Sequence, residues 1–300
     1  MDWRRRALLG AAAGALLGGA QASRKQTEKR MTKRIPSTGE ALPAIGLGTW
    51  QVFDVGNAAG PRKQLAEVLR ILGSGMIDSS PMYGSSESVA GDLVSELGLR
   101  ERFFMATKVW TSGRAEGIRQ MEDSFRRLRV QKVDLLQVHN LVDVATHTKT
   151  LQAWKAEGRV RYIGITHYTA SAHREVEKWL DTRQYDFVQI NYSLGERDAE
   201  ERLLDKAKDL KVAVIANRPF AEGSLFRKVK GKALPPWAAE LGIASWAQYF
   251  LKWIVSHPAV TCTIPATSRP EHMRDNLQAG EGPMPDAAQR DRMARYLDSL

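Results

Sequence analysis

The sequence predicts one parallel (β/α)8 barrel, an α/β fold, over residues 35–300, preceded by a short β-hairpin. From residue 44 onward, eight short apolar runs of strand length alternate with amphipathic segments of helix length. Eight such units in succession suit a single sheet closed on itself. A doubly wound sheet is the alternative, but it requires a glycine-rich phosphate turn after its first strand. The chain contains no G-x-G-x-x-G motif, so we favour the barrel.

Each element has its own signal in the sequence. Turn residues between short apolar pieces predict the hairpin at 34–43. Between the strands, apolar residues recur at helical spacing, as at Ile118, Met121, Phe125 and Leu128, and a short helix is expected at 286–300. The eight barrel strands are predicted at 44–50, 76–79, 103–109, 133–139, 162–168, 187–193, 212–219 and 260–267.

The first 22 residues have the layout of a bacterial export signal. A charged start is followed by a modest run rich in Ala and Gly and then by A-Q-A at 20–22, which predicts cleavage after Ala22. Arg5-Arg6 followed by Ala-Leu-Leu resembles the twin-arginine signal, which exports folded proteins. The apolar run is shorter than a membrane span needs. We therefore expect a periplasmic protein without stable membrane insertion, and a basic linker at 23–34.

Charge and cysteine content restrict the function classes. The formal net charge is +10, but residues 1–34 hold most of the excess and the remainder is nearly neutral. The charge therefore gives no support to a nucleic-acid partner. Cys262 is the single cysteine, which excludes an internal disulfide and a cysteine-based zinc cluster.

Polar residues stand where most of the predicted strands end. In a (β/α)8 barrel the chemistry lies at the carboxyl ends of the strands, so these residues are expected to converge on one rim. They are Asp78, Lys108, His139, Thr166, His167, Gln189, Asn191, Arg218, Thr267 and Ser268. Ser85-Ser86-Glu87, by contrast, is expected to start and cap the next helix.

Three of these residues, together with Tyr83, can assist the reduction of a carbonyl. A buried Lys108 needs a counter-charge, which Asp78 on the neighbouring strand supplies. A lysine beside a phenol is expected to lower the pKa of Tyr83, so that the tyrosine can donate a proton to a carbonyl oxygen. His139 can hydrogen-bond the same oxygen. The missing reactant is a hydride, which a protein must take from a nicotinamide.

In these residues the chain resembles the aldo-keto reductase family, over essentially its whole length after residue 34. The family's D-x-x-x-x-Y-G motif matches Asp78 to Gly84, its strand-3 lysine matches Lys108 in A-T-K-V, and its strand-4 histidine matches His139 in L-L-Q-V-H. The resemblance implies that Tyr83 is the general acid, that Lys108 tunes it, that Asp78 holds Lys108 and that His139 orients the substrate. It also implies a small-molecule carbonyl substrate and a monomer.

The resemblance implies a nicotinamide site that is altered in this chain. The family's Ser-Asn pair after strand 5 is replaced by Thr166-His167, whereas its glutamine is kept as Gln189. Asn217 stands where an aromatic ring often stacks on the nicotinamide. Arg218 and Phe220 are therefore expected to contribute to cofactor binding in its place.

The segment 264–276 resembles the family's adenosine-phosphate segment. Ala266 replaces its usual lysine and His272 its usual arginine. A helix that starts near Pro270 would direct backbone amides at a phosphate. Because a 2′-phosphate prefers Arg or Lys, NADP is the expected cofactor and NAD the alternative. The expected contacts here are Thr267, Ser268, Arg269, His272 and Asn276.

Trp50 and Trp110 end strands 1 and 3 and are expected to line the substrate pocket. His139, Asp143 and His147 have the spacing of metal ligands on a helix, but this segment follows a strand, so no metal site is predicted. The rival to an enzyme is a cofactor-binding sensor or regulatory subunit on the same fold, similar to potassium-channel β-subunits.

Overall fold

The computed structural model describes residues 30–300. They begin with an antiparallel hairpin of β1 (Thr32–Arg34) and β2 (Ala41–Pro43), in which Thr32 pairs with Pro43. Residues 32–34, predicted as the end of a linker, are therefore part of the fold. Lys33 fixes this hairpin, because its Nζ donates to the carbonyl of His257 at 2.6 Å.

Eight parallel strands form the predicted barrel in chain order. Gly46 N donates to Thr263 O at 2.8 Å, and a parallel bridge joins Gly48 to Ala266, so the first strand also pairs with the last. The (β/α)8 fold is confirmed. The strands are β3 (Leu47–Gly48), β4 (Gly75–Asp78), β5 (Phe103–Val109), β6 (Val133–His139), β7 (Val160–Thr166), β8 (Phe187–Asn191), β9 (Ala213–Asn217) and β10 (Val260–Thr263).

Helices follow the strands and cover the outside of the barrel. Between β9 and α8 the chain adds a short helix, α7, that was not predicted. The helices are α1 (Ala59–Leu72), α2 (Ser86–Glu96), α3 (Arg114–Arg127), α4 (Val144–Ala156), α5 (His173–Asp181), α6 (Leu203–Asp209), α7 (Ser224–Lys228), α8 (Trp246–Ser256), α9 (Pro270–Gln278) and α10 (Ala287–Asp298).

Several strands are shorter than predicted at their carboxyl ends. The first strand was expected to reach Trp50 but ends at Gly48, and the eighth was expected at 260–267 but ends at Thr263. Beyond these points the backbone leaves the sheet for the rim loops. The strand pattern in the sequence continues past the sheet because the first rim residues are still buried, as Thr49 and Thr267 are.

The hairpin closes one end of the barrel. Ile35 and Leu42 from the hairpin belong to the buried cluster that fills the barrel interior, together with Phe104, Tyr162 and Phe187. Since β3 to β10 are parallel, the opposite end collects all their carboxyl termini. In a barrel of this kind, the open end is where an active site is expected.

Within residues 30–300, no helix has the length and apolarity that crossing a membrane requires. The predicted signal peptide, its twin-arginine pair and most of the linker lie outside the described residues.

Candidate active site

Asp78 lies at the end of β4 and is surrounded by donors from three other strands. Its Oδ2 accepts a hydrogen bond from Lys108 Nζ on β5 at 2.5 Å. Its Oδ1 accepts from the amides of Gln137 on β6, at 3.1 Å, and Gln189 on β8, at 3.0 Å. The carboxylate is 2% exposed. A buried anion with this many donors is held in one orientation.

Lys108 is fully buried between Asp78 and Tyr83. Its Nζ also donates to Ser79 O at 2.8 Å and lies 5.1 Å from the centre of the Tyr83 ring. Burial works to lower the pKa of Lys108, but the negative charge of Asp78 and the Tyr83 hydroxyl outweigh it and raise this pKa. Lys108 therefore keeps its positive charge under the Tyr83 ring, as predicted from the strand ends.

The predicted lowering of the Tyr83 pKa is wrong in direction. Burial raises the pKa of Tyr83 above its ordinary value, and the opposing effect of Lys108 is smaller. The phenol therefore retains its proton at neutral pH. The effect of Lys108 on the neighbouring phenol has the expected sign, but desolvation, which cannot be judged from the spacing of residues, is larger.

His139 ends β6 and faces the same space as Tyr83. The two rings meet edge to face, with centroids 5.9 Å apart, and the Trp110 ring lies 6.4 Å from the imidazole. Nδ1 of His139 is 3.1 Å from Ser80 Oγ. Burial, the positive charge of Lys108 and the neighbouring His167 lower the pKa of His139 to about 2. The imidazole is therefore neutral throughout the physiological range.

A tight turn places Tyr83 five residues after Asp78. Tyr83 N donates to Ser80 O at 3.0 Å, and Pro81 occupies the second position of this turn, where its fixed φ is favoured. Gly84 follows with φ +58°, and a Cβ there would lie 2.3 Å from an oxygen of Asp54. The D-x-x-x-x-Y-G spacing is thus the length of a strand end plus one turn, closed by a residue that must be glycine.

Ser85 and Glu87, which follow the D-x-x-x-x-Y-G motif, have structural roles, but they do not cap α2 as predicted. Ser85 holds the N-cap position of α2 but makes no side-chain cap; its hydroxyl donates to Asp54 Oδ1 at 2.7 Å. Glu87 is fully buried and accepts from Thr107 at 2.5 Å. Burial raises the pKa of Glu87, against the lowering effects of Thr107 and its other polar neighbours. Glu87 packs α2 on the outside of β5 and does not reach the open end.

Three polar side chains, two of them predicted for the nicotinamide site, meet at the ends of β7, β8 and β9. Thr166 Oγ1 lies 3.4 Å from Gln189 Oε1, and Asn217 Nδ2 lies 3.2 Å from His167 O and 3.5 Å from the same Gln189 oxygen. Oδ1 of Asn217 is buried and has no hydrogen-bond partner among the described residues. An unpaired buried acceptor beside a glutamine suits the amide group of a ligand.

Arg218 and Phe220 lie at the same edge with different surroundings. Arg218 pairs with Glu196 at 3.1 Å, lies 3.6 Å from Glu222 and donates to Tyr168 O at 3.1 Å. Phe220 packs against Phe226, with ring centroids 4.8 Å apart, in a cluster with α7 and α8. The aromatic ring that is exposed at this edge is Tyr168, stacked on His167 at 5.5 Å.

The predicted adenosine-phosphate residues surround the start of α9. Thr267 Oγ1 accepts from Arg269 N at 3.1 Å and so shapes the turn before the helix. Arg269 pairs with Glu271 at 2.6 Å, and His272 is exposed. Ser268 is half-buried, whereas Asn276 is buried further along α9. The structure thus presents one arginine, one histidine and a helix N-terminus at this edge.

Exposed apolar side chains concentrate around the open end. In residues 30–300 five large hydrophobic residues are 39–47% exposed, and four of them come soon after the carboxyl ends of barrel strands: Trp50, Met82, Trp110 and Tyr168. The fifth, Phe226, lies on α7. Trp110 adjoins His139. Exposed apolar side chains therefore stand beside the polar residues at the open end.

The residues that resembled metal ligands have other roles. Asp143 Oδ2 accepts from Gly113 N at 2.8 Å, and His147 Nε2 lies 2.6 Å from Thr111 O. No group of three His, Cys, Asp or Glu side chains in the described part of the chain is placed to hold a metal ion.

Sequence reasoning missed three residues at the open end. Gln137 donates to Asp78, Ser80 contacts His139, and Tyr168 covers His167. Gln137 could have been predicted from the sequence. It precedes His139 by two residues, and because side chains alternate along a strand, both point into the barrel. Ser80 and Tyr168 lie in loops, where the spacing of residues along the chain does not show which way a side chain points.

Comparison with known proteins agrees with this geometry. Residues 44–292 match the model of the aldo/keto reductase family. The chain is 31% identical to the methylglyoxal reductase YeaE of Escherichia coli K12 over 255 residues, which cover 81% of this chain and 88% of that protein.

Solved structures are also similar. An aldo/keto reductase from Klebsiella pneumoniae in complex with NADP and acetate is 26% identical, with a TM-score of 0.75 over 90% of this chain and 96% of that one. An aldo-keto reductase of the same organism in complex with NADPH is 27% identical, with a TM-score of 0.73 over 90% and 95%. With the family model matched along most of its length, the chain belongs to the aldo/keto reductase family.

Proposed function

We propose that this protein reduces an aldehyde or ketone to an alcohol by hydride transfer, with Tyr83 as the general acid. The observation that carries the proposal is the fully buried Lys108, held between Asp78 and Tyr83 with His139 facing the same phenol. NADPH, when bound, supplies the hydride to the carbonyl carbon. The carbonyl oxygen takes the Tyr83 proton, and Lys108 stabilises the phenolate that remains.

The residues at the rim fit a nicotinamide dinucleotide. Gln189, Thr166 and Asn217 would hold the carboxamide, since Asn217 Oδ1 is a buried acceptor without a partner in the described residues. Arg218 and the start of α9, with Ser268 and Arg269, would face the phosphates. Two of the most similar solved structures are complexes with NADP and NADPH, which favours NADP over NAD for this chain as well.

Steady-state assays test this proposal. The purified protein is titrated with NADPH and NADH and then assayed for oxidation of each with a panel of aldehydes and ketones that includes methylglyoxal, the substrate named for the Escherichia coli relative. We expect tighter binding of NADPH and formation of one alcohol for each NADPH consumed. Tight binding without turnover of any carbonyl would favour the sensor or regulatory role.

We also propose that the protein acts in the periplasm after twin-arginine export. The support is the pattern of residues 1–22, with Arg5-Arg6 before the apolar run and A-Q-A at its end. Residues 1–34 fused to a reporter should carry it to the periplasm, and the same fusion with Arg5→Lys and Arg6→Lys should remain in the cytoplasm. A reporter that stays in the cytoplasm with the unchanged signal would contradict export.

A further inference from the structure

Ser80 connects the Asp78–Tyr83 turn to His139. Both side chains are buried, Ser80 fully and His139 to 6% exposure, and Ser80 Oγ lies 3.1 Å from Nδ1 of the imidazole. Nε2 of His139 makes no hydrogen bond with any residue in the described range. Ser80 is therefore the group that can decide which ring nitrogen carries the proton.

The direction of this hydrogen bond follows from counting donors. The Ser80 oxygen already accepts from Met82 N, at 3.4 Å. If it also accepted from Nδ1–H, the serine proton would be buried without an acceptor, which is unfavourable. If Ser80 instead donates to Nδ1, every group has a hydrogen-bond partner: the serine proton, the Met82 amide and Nδ1. The arrangement in which Ser80 donates is therefore favoured.

We propose that Ser80 is a positioning residue that fixes His139 as the Nε2–H tautomer by donating its hydroxyl proton to Nδ1. The imidazole is neutral, so it carries one proton, and occupation of Nδ1 leaves that proton on Nε2. The consequence for catalysis rests on the proposed function: Nε2–H can donate to a carbonyl oxygen, whereas the other tautomer would present a lone pair to it.

The tautomer can be measured without substrate. Long-range ¹H–¹⁵N correlation spectra of protein labelled with ¹⁵N-histidine distinguish a protonated from an unprotonated ring nitrogen. The His139 signals are identified by their loss in His139→Asn. We expect Nε2 protonated and Nδ1 unprotonated in the wild type, and loss of this single pattern in Ser80→Ala.

Ser79→Ala is the matched control. Ser79 is also fully buried, but its hydroxyl oxygen accepts from Thr49 at 2.9 Å and does not touch His139. Ser79→Ala should keep the wild-type tautomer, and Ser80→Ala should lower kcat about tenfold, the contribution of one hydrogen bond. A wild-type protein with Nδ1 protonated, or an unchanged tautomer in Ser80→Ala, would overturn the proposal. A correct tautomer in a protein that reduces no carbonyl would instead count against the proposed function alone.

Discussion

At the scale of single residues, the site depends on one buried lysine. Lys108 is fully buried, and its nearest charge is the Asp78 carboxylate at 2.5 Å. A buried ion pair contributes little net stability, because removing both charges from water costs about as much as their attraction returns. The ion pair instead serves to hold a positive charge 5.1 Å from the centre of the Tyr83 ring.

The ionisation of Tyr83 and His139 predicts the pH dependence of carbonyl reduction. Because burial raises the pKa of Tyr83, the phenol keeps its proton until the pH exceeds its ordinary value of about 10. His139, with a pKa of about 2, does not titrate near neutrality. We expect kcat for reduction to be constant from about pH 6 to about pH 9 and to fall only at higher pH.

The measurement is a kcat profile at saturating NADPH and aldehyde, with protein stability checked at each pH. A loss of rate centred in the neutral range would show that Tyr83 loses its proton there, and would contradict the assigned effect of burial.

At the scale of elements, the loop from Asp78 to Gly84 positions both the acid and the residue that contacts the histidine. Asp54, on the preceding βα loop, holds this loop through Ser85, whose backbone amide and hydroxyl donate to Oδ1 at 2.8 and 2.7 Å. These two hydrogen bonds account for the lowered pKa of Asp54. Gly84 lies directly against this carboxylate, so the loop has no room for a side chain there.

Replacing Gly84 should therefore lower the free energy of unfolding by more than the strain of its positive φ alone would. Gly84→Ala places a Cβ at φ +58° and 2.3 Å from Asp54, whereas Gly98→Ala meets nearly the same φ, +64°, with no atom within 4 Å. We expect Gly98→Ala to lower the free energy of unfolding by about 1–2 kcal/mol. Gly84→Ala should lower it further and also reduce kcat, because Asp54 must move and Tyr83 is adjacent. Urea unfolding and steady-state assays of both variants check this; equal losses of stability would contradict the role of Asp54.

The elements show how far the sequence predicts the site. Strands β5 and β6 were predicted to the residue, because a charged residue directly precedes each apolar run and turn residues follow, at 111–113 after β5 and at Asn140 after β6. The strand ends therefore identified Asp78, Lys108, His139 and Gln189 correctly as neighbours. The net pKa shift of Tyr83 and the contacts of Ser80 depend on how the loops fold over one another, and residue spacing carries no information about that packing.

At the scale of the whole molecule, the C-terminal helix is fastened to the barrel by a buried arginine. Arg290 on α10 donates to Tyr192 Oη at 2.7 Å and pairs with Glu200 at 2.6 Å. Its guanidinium carbon lies 4.2 Å from the centre of the Trp253 ring. One side chain thus joins α10 to the end of β8, the turn before α6 and helix α8.

Removing this arginine should destabilise the fold without acting on the chemistry. We expect Arg290→Met to lower the free energy of unfolding by about 1–3 kcal/mol, because Tyr192 and Glu200 lose a buried donor. Arg292→Met is the control: Arg292 is exposed and lies over Trp237, so its loss should cost about 0.5 kcal/mol. Chemical denaturation of both variants compares their free energies of unfolding. Equal denaturation midpoints would contradict the role of Arg290 in holding α10 to the barrel.

The central claim is that Tyr83 delivers the proton in carbonyl reduction. Tyr83→Phe removes only the hydroxyl, and Tyr185→Phe is the matched control, since Tyr185 is a buried tyrosine whose hydroxyl bonds Thr148 away from the open end. The measurement is the single-turnover rate of NADPH oxidation with an aldehyde, together with NADPH affinity. We predict that Tyr83→Phe lowers this rate about 10²–10⁴-fold with NADPH affinity unchanged, while Tyr185→Phe retains the wild-type rate. A Tyr83→Phe protein that reduces the aldehyde within a few-fold of the wild-type rate would contradict the claim.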